Sequence, residues 1–419
     1  MDTTATTDII SCDLEPIHIP GSIQPNGAML IADRNGEIVG AGGSAEHILG
    51  QSVSGRSLLE VLGTDVASKA MTAVQGRSVV IGPVRCETGV HDTVTFRSGG
   101  HVVVELFKVG TGATNTASLL ADLDGIVSDF ERSGSLTALY GLAADTFRSL
   151  TGYSRVMIYQ FLDDDAGVVV GESLGADTAS FMNHHFPASD IPKQARALYI
   201  RNKTRVIPDV GYDPQPIRSF SGDLRELDLS DSSLRSVSPI HIQYLKNMGV
   251  AASASVSIVK DGVLWGLVAC HHHEPLDIAL DVRMACQALA GSLSRMIRSK
   301  ESADLLKERL RLRAQEETIL SKMGPDTSLE DFFSQSGGEL AKLLNADSFA
   351  AAQGGEIFVS GKHPDRSTCG RSPNSCGIPQ PCRLWRRTVC PRRCHRPPPM
   401  RTLPAGCLRS PCPRKCLPS

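Results

Sequence analysis

No run in this 419-residue chain approaches the ~18 consecutive apolar residues of a membrane helix. The opening stretch, MDTTATTDIISCDLEPIHIPG, lacks the basic start and apolar core of a signal peptide. A charge excess is missing too. With 43 Lys and Arg against 45 Asp and Glu, bulk charge points to neither a nucleic acid nor a membrane as partner. Cysteine is scarce wherever the chain has folding signals. Only Cys12, Cys86, Cys270 and Cys286 precede residue 363, which argues against a disulfide framework. Neither HExxH nor a pair of CxxC motifs occurs, so the five histidines at 184, 185, 271, 272 and 273 lack the usual signature of a metal site. The expectation is a cytoplasmic protein with no metal, large enough for two or three domains.

What is present falls into blocks. GAMLIADRNGEIVGAG holds two apolar runs around Asn35-Gly36, a strong hairpin signal because both residues tolerate positive φ. TVTFRSGGHVVVELFKV repeats the arrangement around Gly99-Gly100, with short helices expected between the two hairpins. The Gly/Thr/Ala-rich GTGATNTAS marks a linker near residues 110–118. Beyond it come a helical pattern from Leu120 to Thr151, a strand pair through Asp165-Ala166-Gly167, and a helix in IPKQARALYIRN. The turn-rich segment 209–236 is too long for an ordinary connector. Two strands around Asp261-Gly262 complete an α+β sensor-like domain. From Leu276 to Met323 apolar residues recur at spacings of three and four, the pattern of one long helix suited to pairing with a second copy. SLEDFFSQSGGELAKLLNADSFAAAQGGEIFVSG then begins a third domain.

Five motifs occur in order: CDLEPIHIPGSIQPNGAML, RVMIYQF, FPASDIP, LRSVSPIHIQYLKNMGV and LWGLVACHHHEP. Together they resemble the bacterial phytochromes, bilin-binding red/far-red photoreceptors, from about residue 9 to residue 360. The resemblance implies residues 1–24 as a chromophore-attachment segment, a PAS domain over 25–115, a GAF domain over 120–300 and part of a PHY domain over 301–363. It also implies that the segment 209–236 is a lasso around the N-terminal strand, with Ile23 threaded.

The site residues follow from the same resemblance. Asp190, Ile191 and Pro192 would wall an open-chain tetrapyrrole. Pro192 biases Ile191 toward an extended backbone, and an ionised Asp190 only accepts hydrogen bonds. Cys12 would carry biliverdin through a thioether, since no cysteine stands before His241, where Ile240 is found. His241 would face the pyrrole nitrogens and His271 the ring D carbonyl. Arg205 and Arg235 would clamp the propionates with planar guanidinium groups, helped by Tyr199, Ser238, Ser253 and Ser255. Met157, Tyr159, Phe186 and Tyr244 would cage ring D; by periodicity alone these four read as core.

Some features depart from the family pattern. The chain contains no PRxSF motif of a PHY tongue, no phosphoacceptor helix and no glycine-rich ATP lid. From Pro364 to Ser419 it carries twelve basic residues, one acid and twelve of its 24 prolines, a composition that cannot form a core. A frameshift or a genuine basic tail would each produce that composition. The expected function is a biliverdin photoreceptor, not an enzyme, that forms a homodimer through the long helix. Its kinase output would be missing or supplied by a downstream signalling partner. The alternative is a GAF-type sensor of a small molecule such as a cyclic nucleotide, without light chemistry.

Overall fold

The computed structural model describes residues 15–110, 116–176, 178–353 and 356–361. Cys12 and the basic tail lie outside the described residues. The chain divides into two compact units, residues 1–314 and 315–419.

The first unit contains two sheets. Strand β1 (Ser22–Ile23) leads to β2 (Ala28–Ala32) and β3 (Ile38–Gly43), the hairpin read around Asn35-Gly36. Three short helices follow, α1 (Ala45–Leu49), α2 (Leu58–Leu62) and α3 (Thr64–Met71). Ser57 and Glu60 form a capping box at the start of α2. Strands β4 (Val79–Cys86), β5 (Gly89–Ser98) and β6 (His101–Lys108) complete the local sheet.

Helices α4 (Thr116–Arg132) and α5 (Leu136–Thr151) divide the single helical pattern read from Leu120 to Thr151. The break falls where Ser135 turns to extended backbone and caps α5 through the Ala138 amide. Strands β7 (Arg155–Phe161), β8 (Gly167–Leu174) and β9 (His185–Phe186) lead through a short 3₁₀ turn, Ala188–Asp190, into α6 (Lys193–Arg201). Then come β10 (Thr204–Ile207), β11 (Gln215–Ser219), α7 (Pro239–Asn247), β12 (Ala252–Lys260) and β13 (Val263–His272). The long helix α8 spans Leu280–Leu320.

The first sheet takes in one strand from far along the chain. The first sheet runs β1-β11-β3-β2-β6-β5-β4, so a strand from the 209–236 segment is inserted between β1 and β3. The second sheet runs β10-β12-β13-β7-β8-β9. Ile23, fully buried, lies between two arms of the same segment: β1 pairs with β11 on one side and bridges Arg235 on the other. The Gln24 amide donates to the Leu234 carbonyl, and the Ser236 amide to that of Ser22. Leu224, Leu227, Leu229 and Leu234 of the segment pack with Met29, Ile31, Val103 and Phe107 on one face of the first sheet. Helices α1–α3 pack on its other face. Glu105 on β6, fully buried, accepts hydrogen bonds from the Ser232 hydroxyl at 2.5 Å, the Leu234 amide at 3.0 Å and the Ser233 amide at 3.2 Å.

The second sheet buries one face against α5 and α8, through Leu139, Phe147, Leu289, Leu293 and Ile297. In the second unit, α9 (Leu329–Leu343) accompanies the hairpin β14 (Ser348–Gln353) and β15 (Glu356–Gly361). Among the described residues no helix is long and apolar enough to cross a membrane.

Candidate functional site

A cavity of about 480 Å³ opens on the face of the second sheet away from its helical core. Strand alternation builds it, because successive side chains point to opposite faces. In β7, Val156 and Ile158 enter the core, whereas Met157 and Tyr159 line the cavity. In β12 the serines at 253 and 255 line it, and in β13 Leu267, Ala269 and His271 do so. Cys270, between two lining residues, is fully buried in the core, and burial holds its thiol well above the usual range. It faces away from the cavity.

The fifteen described site residues expected from the sequence all line this one cavity: Met157, Tyr159, Phe186, Asp190, Ile191, Pro192, Tyr199, Arg205, Arg235, Ser238, His241, Tyr244, Ser253, Ser255 and His271. Ile191 has φ −129° and ψ 90°, the extended backbone imposed by the following proline. Other lining residues escaped the sequence reading, two of them on the N-terminal segment. Glu15 and Ile17 close the rim from the N-terminal segment. The Ser238 hydroxyl donates to the Glu15 carboxylate at 2.6 Å and accepts from the Ile240 amide at 3.3 Å, capping α7. Nor is Tyr244 a purely apolar wall: its hydroxyl donates to the Asp190 carboxylate at 3.1 Å. Burial raises the Asp190 carboxyl above its ordinary range, and the Tyr244 bond opposes that rise.

One side of the cavity is cationic and incompletely satisfied. Arg205 donates to the Ser233 carbonyl at 3.4 Å and to the Arg235 carbonyl. Among the described residues, Nε and Nη1 of buried Arg235 have no partner, nor does Nδ1 of His271. Burial and the neighbouring Arg205 push Arg235 down to about 9. Burial, with Arg205 again contributing, pushes His241 down to about 4. His271 falls to about 3 through burial, Arg155 and His241. At neutral pH the site therefore holds two guanidinium cations and two neutral imidazoles. Opposite them, Tyr159 meets Phe186 at 5.8 Å between ring centroids, within an apolar cluster that includes Met157 and Leu267. Buried donors without acceptors are costly. The arrangement suits an elongated, largely apolar ligand with anionic groups at one side, and its volume lies in the small-molecule range.

The histidine-rich stretch is dispersed. His271 enters the cavity, while ligating atoms of His272, His273 and Glu274 lie within 4.8 Å of one another at the end of β13. The Ser154 amide donates to His272 Nδ1 at 3.0 Å, which leaves the proton of the neutral ring on Nε2. That tautomer offers no free ring nitrogen to an ion.

The PAS fold family model matches residues 12–107 and the GAF domain model residues 135–297. A bacteriophytochrome of Pseudomonas aeruginosa is 36% identical over 342 residues, covering 80% of this chain and 46% of that protein. One from Xanthomonas campestris is 33% identical over 375 residues, covering 86% and 59%. The chain thus spans roughly half the length of the curated relatives it matches. Among solved structures, a bacteriophytochrome from R. palustris superposes with a TM-score of 0.75 at 31% identity, covering 86% of this chain and 75% of that one. The photosensory core module of the Stigmatella aurantiaca phytochrome gives 0.73 at 33% identity, covering 86% and 74%. With both domains matched and three quarters of a solved relative covered at this identity, the chain belongs to the bacterial phytochromes.

Proposed function

We propose that this chain is the light-sensing part of a red/far-red photoreceptor that binds biliverdin in the cavity on the second sheet. The observation that carries the reading is a pair of arginines, half-buried Arg205 and buried Arg235, which make no hydrogen bond to a carboxylate among the described residues. A dianionic tetrapyrrole supplies what they lack. The cyclic-nucleotide reading gains nothing from the matches, which are phytochromes.

A bound bilin supplies visible absorption and a methine bridge at ring D that isomerises in light. Arg205 and Arg235 hold the propionates, with hydroxyls from Tyr199, Ser253 and Ser255. His241, neutral because it is buried, supports the pyrrole nitrogens together with Asp190. His271 offers its unpartnered nitrogen to the ring D carbonyl. Met157, Tyr159, Phe186 and Tyr244 surround ring D. Cys12 would hold the bilin through a thioether, its S–H adding across a ring A vinyl group with sulfur on one carbon and the proton on the other. Glu15 lines the cavity only three residues after Cys12, a chain reach of roughly 10 Å. Residues 25–115 serve as the PAS domain and 120–300 as the GAF domain, while 301–363 begin the PHY domain.

The test is reconstitution. Biliverdin mixed with the purified chain gives a red-absorbing adduct that fluoresces with zinc on a denaturing gel. Cys12→Ser keeps the colour and loses the gel band. A spectrum unchanged from that of free biliverdin overturns the function, and a gel band retained by Cys12→Ser overturns the linkage.

A further inference from the structure

Arg196 lies on α6 but is not among the residues that line the cavity. Its Nε donates to the Ile191 carbonyl at 2.9 Å. One Nη donates to the Asp165 carbonyl at 2.7 Å and to the Ala188 carbonyl at 3.4 Å, and the other to the Asp165 carboxylate at 2.6 Å. The guanidinium carbon stands 4.5 Å from the centre of the Phe161 ring, and Phe161 meets Tyr159 edge-on at 5.2 Å. One planar cation thus joins both ends of the Ala188–Ile191 turn, the tip of the β7–β8 hairpin and the aromatic stack of the cavity.

The ion pair is the minor part of this contact. The Asp165 carboxylate is 52% exposed, and exposed pairs contribute little, whereas the Arg196 side chain is only 14% exposed. The three bonds to main-chain carbonyls hold the turn. Asp165 adopts φ 67°, a left-handed conformation that few non-glycine residues take. On the cavity side, the hydrogen bond given to the Asp190 carboxylate is that of Tyr244. Lysine, whose three donors leave from one nitrogen, cannot span contacts made from three separate guanidinium nitrogens or stack flat on Phe161.

We infer that Arg196 is a positioning residue for the chromophore-facing turn. From behind the cavity it sets where Asp190 and Ile191 stand relative to Tyr159 and Tyr244. Its consequence for the ligand rests on the bilin reading above; its hold on the turn does not.

The experiment compares wild type with Arg196→Lys and Arg196→Gln in the full chain. Amide hydrogen exchange without bilin reads the turn itself. Both variants should exchange at least ten-fold faster over residues 188–191, with β12 and β13 unchanged. Asp165→Asn, which leaves the main-chain contacts, should shift exchange far less. With biliverdin added, the red band of both Arg196 variants should move, and its alkaline titration should fall to lower pH. Unchanged exchange at 188–191 overturns the inference, and so does acceleration throughout the sheet, which would make Arg196 a general folding residue. Faster exchange with an unmoved red band overturns its consequence for the ligand. A wild type that gives no red band overturns the bilin reading instead, and the exchange data still decide on Arg196.

Discussion

Gly167 has no room for a side chain: a Cβ there would stand 1.8 Å from Cζ and Oη of Tyr159. The hydrogen at this position lets the Tyr159 ring lie across β8 and form the cavity wall. Gly167→Ala should cost about 1–3 kcal/mol in urea unfolding, the usual range for overpacking. The cost should largely vanish in a Tyr159→Ala background. The histidines make a second prediction. An unfolded imidazole titrates near about 6.5, but buried His241 and His271 are pushed down to about 4 and about 3. Between those values the unfolded chain binds more protons, so stability of the bilin-free protein falls as pH drops below about 6.5. Each histidine should cost about 2 kcal/mol by pH 5. Asp190 runs the opposite way, because its raised carboxyl gains stability on protonation in the carboxylate range. Urea midpoints at pH 7 and 5 measure the balance, and His241→Gln should flatten the slope.

Elements were legible where their signals are local. The Asn35-Gly36 and Asp261-Gly262 turns, flanked by apolar runs, gave the hairpins, and alternation in ASASVSIV placed the cavity serines on one face. Strand β11 was not legible. Its sequence, QPIRS, follows one proline and contains another, and its partners Ser22–Ile23 and Gly40–Gly42 are far away in the chain. Small residues in β3 make that pairing possible: a Cβ on Gly40 would stand 2.4 Å from Leu224 Cδ1 and 2.8 Å from the Arg218 carbonyl. For Glu105 the one clue was a lone acid in the apolar run VVVELF. Burial raises its carboxyl while the three donors oppose the rise. Glu105→Ala would strand those donors and should cost about 3 kcal/mol, with new protease cleavage within 209–236. The site residues were legible through the five ordered motifs. Glu15 and Arg196 lay within those motifs or beside them, yet their partners become visible only when distant segments meet.

At the scale of the molecule, α8 carries leucines that the described residues leave uncovered. Leu305, Leu306 and Leu310 are 59%, 57% and 58% exposed on a helix of 41 residues. Exposed apolar side chains grouped on one helix suit an interaction surface, and the proposed occupant is a second copy of the helix. Leu306→Glu combined with Leu310→Glu should convert a dimer to a monomer in sedimentation. The red absorption of the biliverdin adduct should stay unchanged, since neither residue lines the cavity.

The insertion of β11 between β1 and β3 bears on how such a protein can be recombined. A chain built as beads on a string tolerates exchange of one bead for a homologous one. Here a cut in the linker near residue 115 leaves the N-terminal piece without β11 and the C-terminal piece without the strand its lasso encloses. The severed lasso would present Leu224, Leu227, Leu229 and Leu234 to water. Neither piece is portable alone. Chimeras should work only when both are transplanted together, so this pair of domains behaves as one unit of inheritance.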